Sequence, residues 1–374
     1  MNLKLTEEQE MLRASARDFL TTRCPKSLVR AMETDERGYP PDLWREIAGL
    51  GWTGLVFPED YEGSGMGFLD LATLLEETGR ACLPGPLFST VVLGGLTLLD
   101  AGTAEQKKFY LPAIARGEAI VTMAITEPDG RYDAGYITVP AEASGSGYVI
   151  SGTKLFVPDA HVAHHLLCVT RTGKGAEDIS VFIVDAGTPG LAVSPLKTMA
   201  GDKQSEVVFN RVTVPADRLV GGLNKGWPIV QRAIERAAVA RCCEMVGYMQ
   251  RALDMTVEYA KDRKQFSKPI GSLQIVQHYC SMMATDVDGA RFATYQAAWR
   301  ISQGLPATRE VAVAKAWMSE AFTRVITLAH QVHGAIGCTI DHDLHYYTRH
   351  GKAADLSFGD GDYYRELVAQ SMGL

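Results

Sequence analysis

Tyr259-Ala-Lys-Asp-Arg-Lys-Gln-Phe-Ser-Lys-Pro-Ile-Gly-Ser-Leu-Gln274 closes one strongly periodic stretch of the chain and opens another. Upstream of it, Val246, Met249, Leu253 and Val257 recur at steps of three and four, which predicts a helix with one buried stripe. Inside it, Lys261, Arg263, Lys264 and Lys268 crowd around Phe266, and Pro269-Ile-Gly271 breaks the helical run. Cations at a helix end commonly do no more than answer the carbonyl end of the macrodipole. An Arg and a Phe in one turn also suit a phosphate clamp. The guanidinium offers a planar fork to an anion, and the phenyl ring packs beside an aromatic system. Further on, Met318, Phe322, Val325, Ala329 and Val332 repeat at steps of four and three, the pattern of a helix packed in a bundle.

A chain of 374 residues is long for one core, so two or three packed subregions are expected. Apolar residues at 46% and charged residues at 22% describe an ordinary globular composition. The net charge of −7 excludes a general nucleic-acid binder, which needs a basic face, but leaves room for a local basic groove. The seven cysteines are odd in number, scattered, and form no CxxC, so a reduced, cytoplasmic setting is expected. No stretch reads as a signal peptide or as a bilayer span, and no membrane partner is expected.

Thr6 with Gln9 makes a capping box before a helix through Leu12, Ala16 and Phe19. Helices are expected from Pro41 to about Leu50, over 68–82 and 86–100, and from Thr103 to about Arg116. Gly63-Ser-Gly65-Met-Gly67 has the look of a nucleotide loop, yet it follows Phe57-Pro-Glu-Asp-Tyr61, which suits a turn better than a buried strand. The pattern changes near Ile120. Tyr148–Ile150, Leu166–Thr170, Ile179–Val184 and Val207–Val214 are short, β-branched runs separated by glycine turns. The fold class is therefore α+β: an N-terminal helical domain over 1–120, a middle antiparallel β domain over 121–220, and a C-terminal bundle of the four-helix kind over 225–374.

Three landmarks stand in order along the chain: Thr126-Glu127-Pro128, the Arg263 and Phe266 pair, and Gln331-Val-His-Gly334-Ala-Ile-Gly337. Together they resemble the acyl-CoA dehydrogenases, FAD-dependent flavoproteins that desaturate acyl-CoA thioesters, and the resemblance runs from Leu5 to about Leu367. It implies the same α–β–α architecture, a tetramer of identical or related subunits, acyl-CoA as substrate in fatty acid or related acyl catabolism, and an electron-transfer flavoprotein as acceptor. It also implies site residues. Met123, Ile125 and Thr126 match the strand beside the flavin ring, with Thr126 on the pyrimidine edge. Phe156 and Pro158 lie where the family has Trp-Ile-Thr, and Pro158 brings neither a hydroxyl nor a backbone N–H. Arg263, Phe266, Gln274, Gln331 and Gly334 match positions that hold FAD, the Arg and Phe reaching a neighbouring subunit's cofactor.

The substrate positions depart from the family pattern. Asp129-Gly-Arg-Tyr132-Asp133 replaces Gly-x-Gly-Ser-Asp, which puts a bulky Tyr132 at the CoA chain. A CoA-binding arginine aligns with Ala238, leaving Arg236 or Arg241 as substitutes. Both family positions for the catalytic carboxylate lack one: Phe358 stands at the first and Ala237 at the second. The substitutes are Asp360, two residues on in the same loop, and then Glu235, which a two-residue step turns by about 200° on a helix. A third possibility is a subunit with little or no chemistry of its own that completes a partner chain's site; a fourth is a flavoprotein on this scaffold that does not dehydrogenate. His330/His333 and His342/His345 form no ligand set, so no metal is expected. The acyl group stays open, with branched, cyclic and steroid-like groups as compatible as a fatty chain.

Overall fold

The computed structural model describes residues 4–374. Helices α1 (Glu7–Arg23), α2 (Lys26–Thr34), α3 (Pro41–Gly49) and α4 (Phe68–Ala81) come first. A π-helical stretch, Phe88–Gly95, runs into α5 (Leu96–Ala101), and α6 (Ala104–Ala115) follows. Then come strands β1 (Val121–Ala124), β2 (Ala141–Ser144), β3 (Gly147–Pro158) and β4 (His165–Arg171). Strands β5 (Ile179–Asp185), β6 (Leu191–Leu196), β7 (Gln204–Pro215) and β8 (Leu219–Val220) complete the β region. Helix α7 (Trp227–Asp262) leads into a short hairpin, β9 (Lys264–Gln265) and β10 (Lys268–Pro269). The rest is helical: α8 (Gln274–Ser302), α9 (Thr308–His333), α10 (Leu344–Leu356) and α11 (Gly361–Ser371).

The starts of α1 and α6 follow from their capping boxes. Thr6 and Thr103 each accept from the N–H of a Gln three residues on, at 3.2 Å, and that Gln returns the bond at 3.0 Å. Three features depart from expectation. The 86–100 helix opens as a π-helix packed so closely that a Cβ on Gly94 would sit 2.6 Å from Val121. Helix α2, Lys26–Thr34, is not among the helices expected from the sequence. One pairing in the β region, β1 with β4, is parallel rather than antiparallel. The Gly63–Gly67 stretch is a turn tied to Phe57, whose carbonyl accepts from the Gly65 N–H at 2.8 Å.

The chain forms two compact units. One holds residues 32–67 and 84–237. Its sheets run β1-β4-β5-β8 and β2-β3-β7-β6. Their inner faces meet in a core of Ala124, Leu166, Phe182, Ile150, Val207 and Phe209. The other unit takes the described residues up to 31, with 68–83 and 238–374, and is helical. There α4 and α7 cross backbone to backbone through two glycines. A Cβ on Gly247 would lie 2.0 Å from the Glu76 carbonyl oxygen, and one on Gly79 would lie 2.1 Å from that of Glu244.

Candidate active site

In the β unit, the segment after β1 is pinned by a buried ion pair that the sequence motif does not announce. Lys154, wholly buried on β3, donates to the Glu127 carboxylate at 2.7 Å and to the Ile125 carbonyl at 3.1 Å. Glu127 also accepts from the Thr138 hydroxyl (2.5 Å) and from the N–H groups of Thr138 (2.8 Å) and Val139 (3.1 Å). Burial opposes ionisation of Glu127, but Lys154 and these donors outweigh it and hold the carboxyl below its ordinary range. Burial also lowers Lys154 from its ordinary value. Between these anchors Thr126 is half-buried, its carbonyl taken by the Leu155 N–H at 2.9 Å. Met123 and Ile125 are 2% and 3% exposed, so their side chains are buried in this structure.

Beside Thr126, β3 slips register against β7 between Lys154 and Val157. The bulge turns Phe156 outward, 56% exposed, at φ 54°. Pro158 pairs in register with Gln204, and its carbonyl accepts from the Thr122 hydroxyl at 2.6 Å. Tyr132 is half-buried in the loop after Pro128.

In the helical unit, a small apolar cluster of Ala260, Ile270 and Val276, with Tyr259, Leu273 and Val332 against it, ties together the ends of α7 and α9 and the start of α8. It gathers the sequence-derived residues Arg263, Phe266, Gln274, Gln331 and Gly334, all of them exposed. Arg263 makes no ion pair among the described residues. Phe266 is 83% exposed at the tip of the β9–β10 hairpin, where it and Ser267 both take positive φ, 51° and 62°. That is a two-residue turn of the kind that favours Asn-Gly. Gly334 ends α9 at φ 65°, with open space where a Cβ would project. These features fit an FAD tail. An uncommitted guanidinium and an open glycine backbone suit a pyrophosphate, and a bare phenyl ring suits an adenine. His333, 4% exposed, gives its Nδ1–H to the Ala329 carbonyl at 2.8 Å, and its Nε2 has no partner among the described residues.

The substrate and base candidates are more committed than their positions in sequence suggest. Asp360 caps α11, accepting from the Tyr363 N–H at 2.9 Å, in a cavity lined by Arg324, Lys352 and Arg365 and by the carboxylates of Glu320, Asp355 and Asp362. Phe358 is 9% exposed at φ 59°, and its carbonyl accepts from the Tyr364 hydroxyl at 2.8 Å. The end of α10, which leads into this loop, is held by Lys315, wholly buried, whose Nζ donates to the Ala354 and Asp355 carbonyls at 2.7 and 2.9 Å. Arg236 pairs with Asp100 at 2.6 Å, and Arg241 pairs with Glu244 at 2.6 Å. Glu235 is half-buried on α7, and Ala237 is fully buried. Among the described residues no group of three metal-ligating side chains comes together, and no helix is long and apolar enough to cross a membrane. Lys154 and Lys315 are the positions that sequence reasoning missed. Lys154 sits in a β-branched run where a charge has no surface to face, and that was the available signal.

Three family models cover the chain: the N-terminal domain of acyl-CoA dehydrogenases over residues 6–118, the middle domain over 122–212 and the C-terminal domain over 224–373. A probable acyl-CoA dehydrogenase of Bacillus subtilis is 34% identical, with all of both chains covered. An acryloyl-CoA reductase (NADH) of Anaerotignum propionicum is 32% identical over all of this chain and 96% of its own. Among solved structures, butyryl-CoA dehydrogenase from Megasphaera elsdenii matches over the whole of both chains at TM-score 0.93 and 27% identity. The ChsE4–ChsE5 complex from Mycobacterium tuberculosis matches at 0.92 and 29%, covering 100% of this chain and 99% of that one. An FAD complex of PigA matches over the whole of both chains at 0.91 and 26%. The chain belongs to the acyl-CoA dehydrogenase family. Its class is that of an oxidoreductase, a flavoprotein acting on acyl-CoA.

Proposed function

We propose that this chain dehydrogenates an acyl-CoA thioester across its α,β bond on FAD and passes the electrons to an electron-transfer flavoprotein. The observation that carries the reading is the bulge in β3. It holds an exposed phenylalanine in a strained backbone beside Thr126, on a segment locked by a buried ion pair. When bound, FAD would supply the hydride acceptor. The chain's own residues would do the holding. Thr126 would hydrogen-bond the ring's pyrimidine edge and Phe156 would stack on its face. Pro158 would withhold the donor that a threonine gives. Arg263, Phe266, Gln274, Gln331 and Gly334 would take the tail. Tyr132 would shape the CoA end of the pocket, and Arg236 or Arg241 would bind CoA once released from its present carboxylate. Asp360 or Glu235 would remove the α proton. The functional division proposed is 1–120, 121–220 and 225–374.

A second reading has its own observation. Phe358 and Ala237 fill both family base positions, and the Asp360 carboxylate is already spent on a helix cap. A subunit built this way would bind flavin and complete the site of a related chain that supplies the base; one of the solved relatives is itself a complex, ChsE4–ChsE5. Purified alone, the protein should be yellow, and its flavin should bleach with a member of an acyl-CoA panel spanning linear, branched and cyclic groups. Flavin-loaded protein that no thioester bleaches would hand the case to the second reading. Protein that takes up no flavin would sink both.

A further inference from the structure

Four cations line a cavity of about 340 Å³ in the helical unit, on residues that the flavin and acyl-CoA positions leave unused. They are Arg17 on α1, Lys26 at the start of α2, Arg80 on α4 and Arg251 on α7, and the only carboxylate lining it is Glu77. In a chain of net charge −7, such a gathering runs against the overall composition.

None of the four cations is fully used. Arg17 clamps Glu77 with two of its five N–H groups, at 3.0 and 2.5 Å. Arg80 pairs with Asp254 through one nitrogen at 2.6 Å. Arg251 reaches the exposed Glu258 at 3.2 Å. Lys26 has no carboxylate partner among the described residues. Its Nζ donates to the Ala81 carbonyl and stands 5.0 Å from the centre of the Tyr347 ring. The Tyr347 hydroxyl is itself committed, to the Arg80 carbonyl at 3.2 Å. Helix α2 starts at Lys26 with no acidic residue in its first turn, so no carboxylate there offsets the positive end of its dipole.

We propose that this cavity binds a phosphate-bearing anion, a phosphate monoester or free phosphate. One monoanion would leave most of these donors unmatched. A dianion can draw on a lysine point charge and on the unused faces of two or three guanidinium forks at once. Arg17 neutralises Glu77, the carboxylate that lines the cavity, and Asp254 and Glu258 are paired with Arg80 and Arg251.

The test uses the full-length protein with inorganic phosphate as probe, against sodium chloride at matched ionic strength, read by thermal shift and by titration calorimetry. Phosphate should raise the melting temperature beyond the salt control and saturate. Arg251→Gln removes a cation whose ion pair is with an exposed carboxylate, so the fold should hold while phosphate affinity falls about tenfold. Lys26→Gln should weaken it similarly. Adenosine 5′-monophosphate distinguishes the sources: binding tighter than phosphate and lost in the same variants points to an organic phosphate, and equal binding points to the free ion. No shift beyond the salt control, or variants that bind phosphate as tightly as the parent, would overturn the proposal. Neither Lys26 nor Arg251 belongs to the flavin positions, so flavin content and bleaching should not change in either variant.

Discussion

Phe156, Phe266 and Phe358 all adopt left-handed backbone, which a bulky side chain rarely tolerates. Each stands at a position proposed for function: stacking on the flavin ring, holding the FAD tail, and the family's base position. Strain of this kind costs roughly 1–3 kcal/mol per residue and persists only where the surroundings enforce it. The residue identities were legible in the sequence because each sits in a recognisable motif. Their backbone states were not, because nothing local in a Phe favours positive φ. Arg263→Ala should cut flavin occupancy about tenfold while leaving the melting transition cooperative, measured by absorbance of the purified protein. Occupancy equal to the parent would take Arg263 out of the site. Lys154→Met makes a different demand. It leaves the Glu127 carboxylate buried without its cation, and should cost about 3–5 kcal/mol in denaturant unfolding, with Glu127→Gln in the same chain recovering part of the loss. Because the folded pKa of Glu127 is depressed, its contribution is present above the unfolded carboxylate value and is lost as pH falls through the folded one. The parent's stability should therefore decline on acidification more than that of the double variant.

Helices were the most readable elements, since their apolar period and their caps are both local. Which helices touch is a different matter. Gly79 and Gly247 look like weak points in helical runs, and only the crossing of α4 and α7 shows that each is needed for backbone-to-backbone approach. Gly247→Ala should destabilise the chain by about 1–3 kcal/mol or more, because the obstructing atoms are backbone and cannot step aside. Gly49→Ala, at the end of α3 with nothing near the added methyl, should instead be neutral or stabilise by about 0.5–1 kcal/mol. Equal effects from the two substitutions would mean that the crossing is looser than drawn. The β9–β10 hairpin argues the same way. Replacing Phe266-Ser267 with Asn-Gly supplies the residues its turn prefers and should raise stability by about 1 kcal/mol, measured by urea unfolding. It should lower flavin retention at the same time, since the exposed phenyl is gone. Stability unchanged would show that the turn is not strained.

For the whole molecule, family and architecture were legible because motifs and periodicity run in a fixed order over nearly the full chain. The base was not, because it depends on where one loop points a carboxylate. Asp360 does two things at once in the competing accounts, and one substitution separates them. Asp360→Asn keeps the size and much of the capping ability of the side chain, since Asn is a comparable N-cap, and removes the basicity. If Asp360 takes the α proton, flavin binding and melting should stay near the parent's values. The rate of flavin reduction by acyl-CoA should then fall by about 10²–10⁴, the usual worth of general base catalysis. Asp360→Ala would add a loss of about 0.5–2 kcal/mol from the cap alone, which calibrates the structural part. Glu235→Gln is the matched test on α7. If it alone stops reduction, the base is on the helix. If both variants reduce flavin as fast as the parent, neither carboxylate is the base. If the flavin-loaded parent is reduced only after a related chain is added, the proton is removed by a residue of that chain. In that case the buried Phe358 is the mark of a subunit that shares its site.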